Sequence, residues 1–147
     1  MVHALRESWR VLVPGGSLID LRPLSANSPV QVVTGDKIVP VGQIDDSKDR
    51  HDDRAAAEAI RRIVHEGWFA LEQEERFDYV SYWNTLEEMQ RYIEEKRSSL
   101  ILPEQVLAEA ERLVTGSSTE ARLRIPFRMV ISRYRKTPGG GYRYSHV

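Results

Sequence analysis

The sequence predicts an α/β fold, with helices packed through one apolar face each onto a sheet. Three observations predict it. Four segments repeat apolar residues at helical spacing, residues 121–134 alternate between apolar and charged, and Ser17–Leu21 is a short, mostly apolar run closed off by turn residues. The chain has 147 residues, enough for one hydrophobic core.

The first helix is predicted over residues 3–12, where Leu5, Trp9 and Leu12 share a face. Pro14-Gly15-Gly16 stops it, because proline has no N–H to donate and glycine accepts the backbone of a tight turn. Ser17 to Leu21 then reads as a strand buried on both faces, closed by Pro23. Two short extended pieces follow around Gly35-Asp36, one with Val30, Val32 and Val33 and the other with Ile38, Val39 and Val41. The polar stretch Asp45–Asp53 reads as a loop, with Asp53 capping a helix that runs to about His65. Ala56, Ile60, Ile63 and Val64 give that helix its stripe, and Gly67 lies just beyond it. Residues 68–83 are rich in aromatics but carry charges from Glu72 to Arg76, which predicts two strand pieces about a charged kink or turn.

Thr85 followed by Glu88 matches a capping box ahead of Leu86, Met89 and Ile93. Pro103 suits the start of another helix, with Val106, Leu107, Ala110, Leu113 and Val114 facing inward and Gly116 at its end. In the last strand Leu123, Ile125, Phe127, Met129 and Ile131 are expected on one buried face, with Arg122, Arg124 and Arg128 on the wet one. Pro126 requires an edge position or a bulge there. Residues 1–136 thus form the domain, and 137–147, with Gly139-Gly140-Gly141, a flexible tail.

Composition removes several function classes. With no cysteine there is no disulfide, thiolate metal site or cysteine nucleophile. A balance of 21 Lys+Arg against 22 Asp+Glu gives a net charge of -1, so no overall field draws the chain to nucleic acid or an anionic membrane. No apolar run reaches the length of a membrane span and the amino terminus lacks a signal-peptide core, which makes a cytoplasmic location the expectation.

Leu5-Arg6-Glu7, followed by Arg10-Val11-Leu12-Val13-Pro14-Gly15-Gly16-Ser17-Leu18, resembles the junction of the fourth helix and fifth strand in class I S-adenosylmethionine-dependent methyltransferases. Ala59 to Phe69, through Glu66-Gly67-Trp68, is similar to the helix entering that family's sixth strand, and Leu123–Arg135 to its seventh. The resemblance covers most of residues 3–135. It implies the carboxyl-terminal half of a Rossmann-like sheet, with the final strand antiparallel between those equivalent to Leu18–Leu21 and Trp68–Leu71. The family binds its methyl donor on a glycine-rich loop after the first strand and an acidic residue ending the second. These residues contain neither; Gly15-Gly16 precedes a strand, and Gly139-Gly140-Gly141 follows the last one. The resemblance therefore implies an acceptor-side half with no cofactor-binding residue of its own. It is expected to be inactive as a lone chain, although the complete family uses S-adenosylmethionine. The alternative is a non-catalytic binding or oligomerisation module.

Five residues are candidates for the acceptor side. Arg22 and Ser25 lie beyond a strand's carboxyl end, where open α/β sheets collect ligands, and Trp68, Tyr82 and Trp83 can line an apolar pocket. The plainer readings are a surface arginine beside a proline turn and core aromatics. Asp45, Asp46, Asp49, His51, Asp52 and Asp53 are rich in oxygen ligands but match no calcium loop, and a solvated loop is preferred to a metal site. His65 at a helix end suits the helix dipole, and no catalytic residue stands out. A sheet lacking the fourth strand leaves an edge exposed, so the expected partner is a second copy, as a dimer, or a donor-binding subunit.

Overall fold

A computed structural model describes residues 1–139. Its elements are α1 (Val2–Val11), β1 (Ser17–Pro23), β2 (Pro29–Thr34), β3 (Lys37–Gln43), α2 (Arg50–His65), β4 (Phe69–Trp83), α3 (Leu86–Lys96), α4 (Glu104–Gly116) and β5 (Ala121–Lys136). β5 pairs antiparallel with β1 and with β2, β2 pairs antiparallel with β3, and β4 pairs with β5. The class is mixed α/β. The tail predicted over 137–147 falls, from residue 140 onward, outside the described residues.

The described chain divides into two compact units, each with its own core. The first contains Met1–Pro23, His51–Phe77 and the chain from Met129. Here Leu5 and Trp9 of α1, Leu12 just past its end, and Ile60 and Ile63 of α2 pack with Leu18, Phe69 and Tyr134. α1 ends where the sequence predicts: Gly15 takes a φ of 74°, and the Gly16 N–H donates to the Val13 carbonyl at 2.9 Å.

The second unit contains Leu24–Arg50 and Asp78–Arg128. Gly35-Asp36 forms the two-residue turn of the β2–β3 hairpin, with Thr34 opposite Lys37 and Gly35 at a φ of 61°. Val30 and Val32 bury against Met89 and Ile93 of α3, Val106 and Ala110 of α4, and Leu123, Ile125 and Phe127 of β5. Thr85 caps α3, accepting from the Glu88 N–H at 3.1 Å, while the Glu88 carboxylate accepts from the Asn84 N–H at 3.0 Å, one residue before the cap. The Gly42 backbone lies so close to α4 that a Cβ there would sit 2.5 Å from Cγ2 of Val106.

Four expectations are corrected. β1 is not buried on both faces: Ile19 is 55% and Leu21 56% exposed, because α1 and α2 reach only the side that carries Leu18. Residues 69–83 form one unbroken strand. The charges that suggested a turn are answered from β5, where Arg133 and Arg135 pair with Glu72 and Ser132 with Glu74. α2 begins at Arg50, so Asp53 does not precede the helix; with Asp52 it lies in the first turn, where a carboxylate suits the dipole.

The inward set of β5 also changes parity along the strand. Leu123, Ile125 and Phe127 are buried as expected, but Met129 and Ile131 are only partly buried, and Val130, Ser132 and Tyr134 replace them. Leu123, Ile125 and Phe127 serve one core and Tyr134 the other. Pro126 lies close to the change, at a position paired by neither β2, which ends its pairing at Arg124, nor β1, which begins at Met129. A missing N–H costs no ladder bond on that side.

The close approach at Gly42 generates a prediction. Gly42→Ala forces a methyl into Val106 and an L-residue into a φ of 144°, so it should destabilise the chain by about 1–3 kcal/mol. Urea unfolding measures the loss, and Val106→Ala in the same background should recover part of it.

Candidate functional site

The apolar run of β1 contains one carboxylate, Asp20, and a charge in such a run requires a partner. It finds two kinds. Arg22 Nε donates to Asp20 Oδ2 at 2.7 Å, with the two side chains only 19% and 18% exposed. Across the ladder Asp20 stands opposite Ser132, and Leu18 opposite Tyr134. The buried Ser132 hydroxyl donates to Glu74 on β4 at 3.1 Å. Burial pushes the Tyr134 phenol above its usual pKa, and the negative charges of Asp20 and Glu74 add to the rise. The phenol therefore stays protonated at neutral pH. Asp20, Arg22, Glu74, Ser132 and Tyr134 form a polar group on three adjacent strands of the first unit, toward the carboxyl end of β1. It supplies hydrogen-bond donors, and its two carboxyl groups, Asp20 and Glu74, outnumber its one guanidinium, Arg22. It contains no imidazole or thiol to serve as base or nucleophile.

The outer edge of β1 is the second feature. The Lys136 N–H donates to the Gly16 carbonyl at 2.8 Å, and antiparallel ladders bond alternate pairs, so Leu18, Asp20 and Arg22 also turn their peptide groups toward β5. Ser17, Ile19 and Leu21 consequently turn theirs outward, and among the described residues no strand pairs there. Ile19 also borders a shallow pocket of about 210 Å³ with Gln73, Glu75, Ile131 and Arg133.

The five predicted candidates do not gather in one place. Arg22 joins the polar group, where Asp20 pairs with it. Trp68 is committed elsewhere in the first unit: its ring meets Trp9 edge-on at 5.1 Å, Arg6 lies 5.6 Å over it, and its indole N–H donates to Glu66 at 3.0 Å. Ser25, Tyr82 and Trp83 belong to the second unit. Trp83 packs on Tyr92 with ring centres 5.3 Å apart, whereas the Tyr82 ring is 45% exposed and carries Arg122 at 4.6 Å. Sequence reasoning missed Glu74, Ser132 and Tyr134. The available signal was Asp20 itself, a charge amid Leu18, Ile19 and Leu21.

The acidic stretch performs structural work. Asp46 is 5% exposed, and its Oδ2 accepts from the backbone N–H groups of Ala26 and Asn27 at 2.8 and 2.9 Å, holding Asn27 at a φ of 46°. Asp49 accepts from the Ser99 hydroxyl at 3.0 Å. The Ser47 hydrogen bonds hold the Asp45 carboxyl below its usual pKa. Among the described residues no cluster of His, Asp and Glu is arranged to hold a metal ion, and no helix is long and apolar enough to cross a membrane.

Comparison with family models, with curated proteins and with solved structures finds no match to this chain.

Glu66 ties the end of α2 to α1 and gives a pH prediction. Hydrogen bonds from Arg62 and Arg6, with a further one from Trp68, lower its pKa from 4.5 to about 2. A carboxylate whose folded pKa is depressed stabilises above its unfolded pKa, and that stabilisation is lost as pH falls through the folded value. Thermal stability should therefore drop between about pH 4.5 and pH 2, and Glu66→Gln should flatten that part of the profile while lowering stability at pH 7. Melting curves across that range, for both proteins, make the comparison.

Proposed function

We propose that this chain is the acceptor-side half of a class I methyltransferase-like fold, and that it works with a donor-binding half that completes the sheet along β1. One observation carries the reading: β5 runs antiparallel to β1 and pairs on its other side with β4. This is the strand order that the resemblance of Arg10–Leu18, Ala59–Phe69 and Leu123–Arg135 implies. α1 leads into β1 and α2 into β4, as the same resemblance expects. In this reading S-adenosylmethionine is held by the other half, the polar group around Asp20 and Arg22 faces the methyl acceptor, and the second unit is an elaboration on the acceptor side.

The open edge of β1 also favours the second reading, a binding or oligomerisation module. Outward peptide groups beside Ile19 and Leu21 are what natural sheets avoid leaving uncovered. Without a donor half, a second copy across a two-fold axis is the simplest cover.

Two measurements on the lone chain test the proposal. Isothermal titration with S-adenosylmethionine or S-adenosylhomocysteine is expected to show no micromolar site, and a one-to-one isotherm would overturn the assignment of the donor to another half. Sedimentation equilibrium over a dilution series is expected to show a dimer or larger closed assembly. A folded micromolar monomer would mean that β1 needs no partner strand.

A further inference from the structure

On the second unit, the face of β5 that carries Arg122, Arg124 and Arg128 treats its arginines unequally. Arg128 is answered by Asp78 of β4, with Nε 3.5 Å from Oδ1. Four residues further along β4, at Tyr82, the chain places a phenol where a carboxylate would repeat the pairing. Arg122 lies 4.6 Å and Arg124 5.8 Å from the centre of that ring. Among the described residues neither forms an ion pair with a carboxylate, in contrast to Arg50 and Arg112 of the same unit.

Arg122 and Arg124 are two apart on one strand and so share a side, roughly 7 Å apart along the chain. A guanidinium held over an aromatic ring uses its face and leaves its edge N–H groups in plane, free to grip an oxyanion in a fork. Arg124 is partly withdrawn from water, and its Nε is buried with no hydrogen-bond acceptor. Gln31, its register partner on β2, likewise has a buried Oε1 without a donor. Two adjacent cations, one partly desolvated and neither neutralised, therefore share one aromatic platform. Simple shielding of Tyr82 would require only one arginine and would leave no reason to omit the carboxylate that Arg128 receives.

We propose that Arg122 and Arg124, stacked on Tyr82, form a binding site for the oxyanion group of a small ligand, a carboxylate or a phosphate ester. The site goes beyond the methyltransferase reading and does not depend on it. Its two arginines hold the anion, and Tyr82 fixes their planes.

The test is titration of the whole chain with inorganic phosphate, phenyl phosphate and benzoate, followed by NMR through the arginine Nε–Hε resonances. Saturable shifts are expected at Arg122 and Arg124. Arg122→Gln and Arg124→Gln should each weaken binding about tenfold or more, as loss of a charged hydrogen bond does. Arg122→Lys and Arg124→Lys keep the charge and lose the fork, and should weaken it as well, which covers the case of a glutamine variant that does not fold. Arg91→Gln, on α3, should change nothing. Saturation by phenyl phosphate but not benzoate assigns a phosphate ester, and the converse assigns a carboxylic acid. Shifts that never saturate, or that persist unchanged in the arginine variants, overturn the proposal. So does tighter, steeply salt-dependent binding of a single-stranded oligonucleotide, which would make the surface a nucleic-acid contact instead.

Discussion

β5 is the strand with which β1, β2 and β4 all pair. It is 16 residues long and lends its second half to β1, its first to β2, and pairs with β4 as well. Two cores are built on it, and their demands on its side chains differ, which is why the buried positions change from Leu123, Ile125 and Phe127 to Val130, Ser132 and Tyr134. Leu123, Ile125 and Phe127 belong to one core and Tyr134 to the other. Pro126 lies near the change and between the two neighbours' ladders, where its missing N–H breaks no bond with β1 or β2.

The charges of the sheet follow from this arrangement. β4 is highly polar from Glu72 to Arg76, and such a run holds as a strand only where the neighbouring chain answers it. Arg133 and Arg135 do so for Glu72, Ser132 for Glu74 and Arg128 for Asp78. Exposed pairs of this kind add little stability singly, so their role here is better described as fixing which residues of β4 meet which of β5. The exception, Tyr82 beside Arg122 and Arg124, is informative because it breaks the pattern.

Local signals in the sequence were legible because their causes are local. Thr85 and Glu88 cap α3 from three residues apart, Gly35-Asp36 closes a hairpin by itself, and Leu5, Trp9 and Leu12 need only a helical repeat to share a face. What could not be read depends on residues distant in sequence. The continuity of β4 rests on partners some 50 to 60 residues later, such as Asp78 with Arg128 and Glu74 with Ser132. The exposure of Ile19 and Leu21 reflects which side of β1 α1 and α2 reach, and a run such as Ser17–Leu21 looks the same whether one face is covered or two. The polar group was half visible: Arg22 was a candidate, and only the register with β5 joins it and Asp20 to Ser132 and Tyr134.

The alternation of peptide groups along β1 makes that strand a reporter of its own surroundings. Leu18, Asp20 and Arg22 give their amides to β5, while Ser17, Ile19 and Leu21 turn theirs to a side where, among the described residues, no strand pairs. Solvent deuterium should therefore enter β1 as a comb, every second tooth filling at once and the others only when β5 lets go. Whatever comes to lie along that edge, a donor half or a second copy, would close the comb without moving a single residue of the strand.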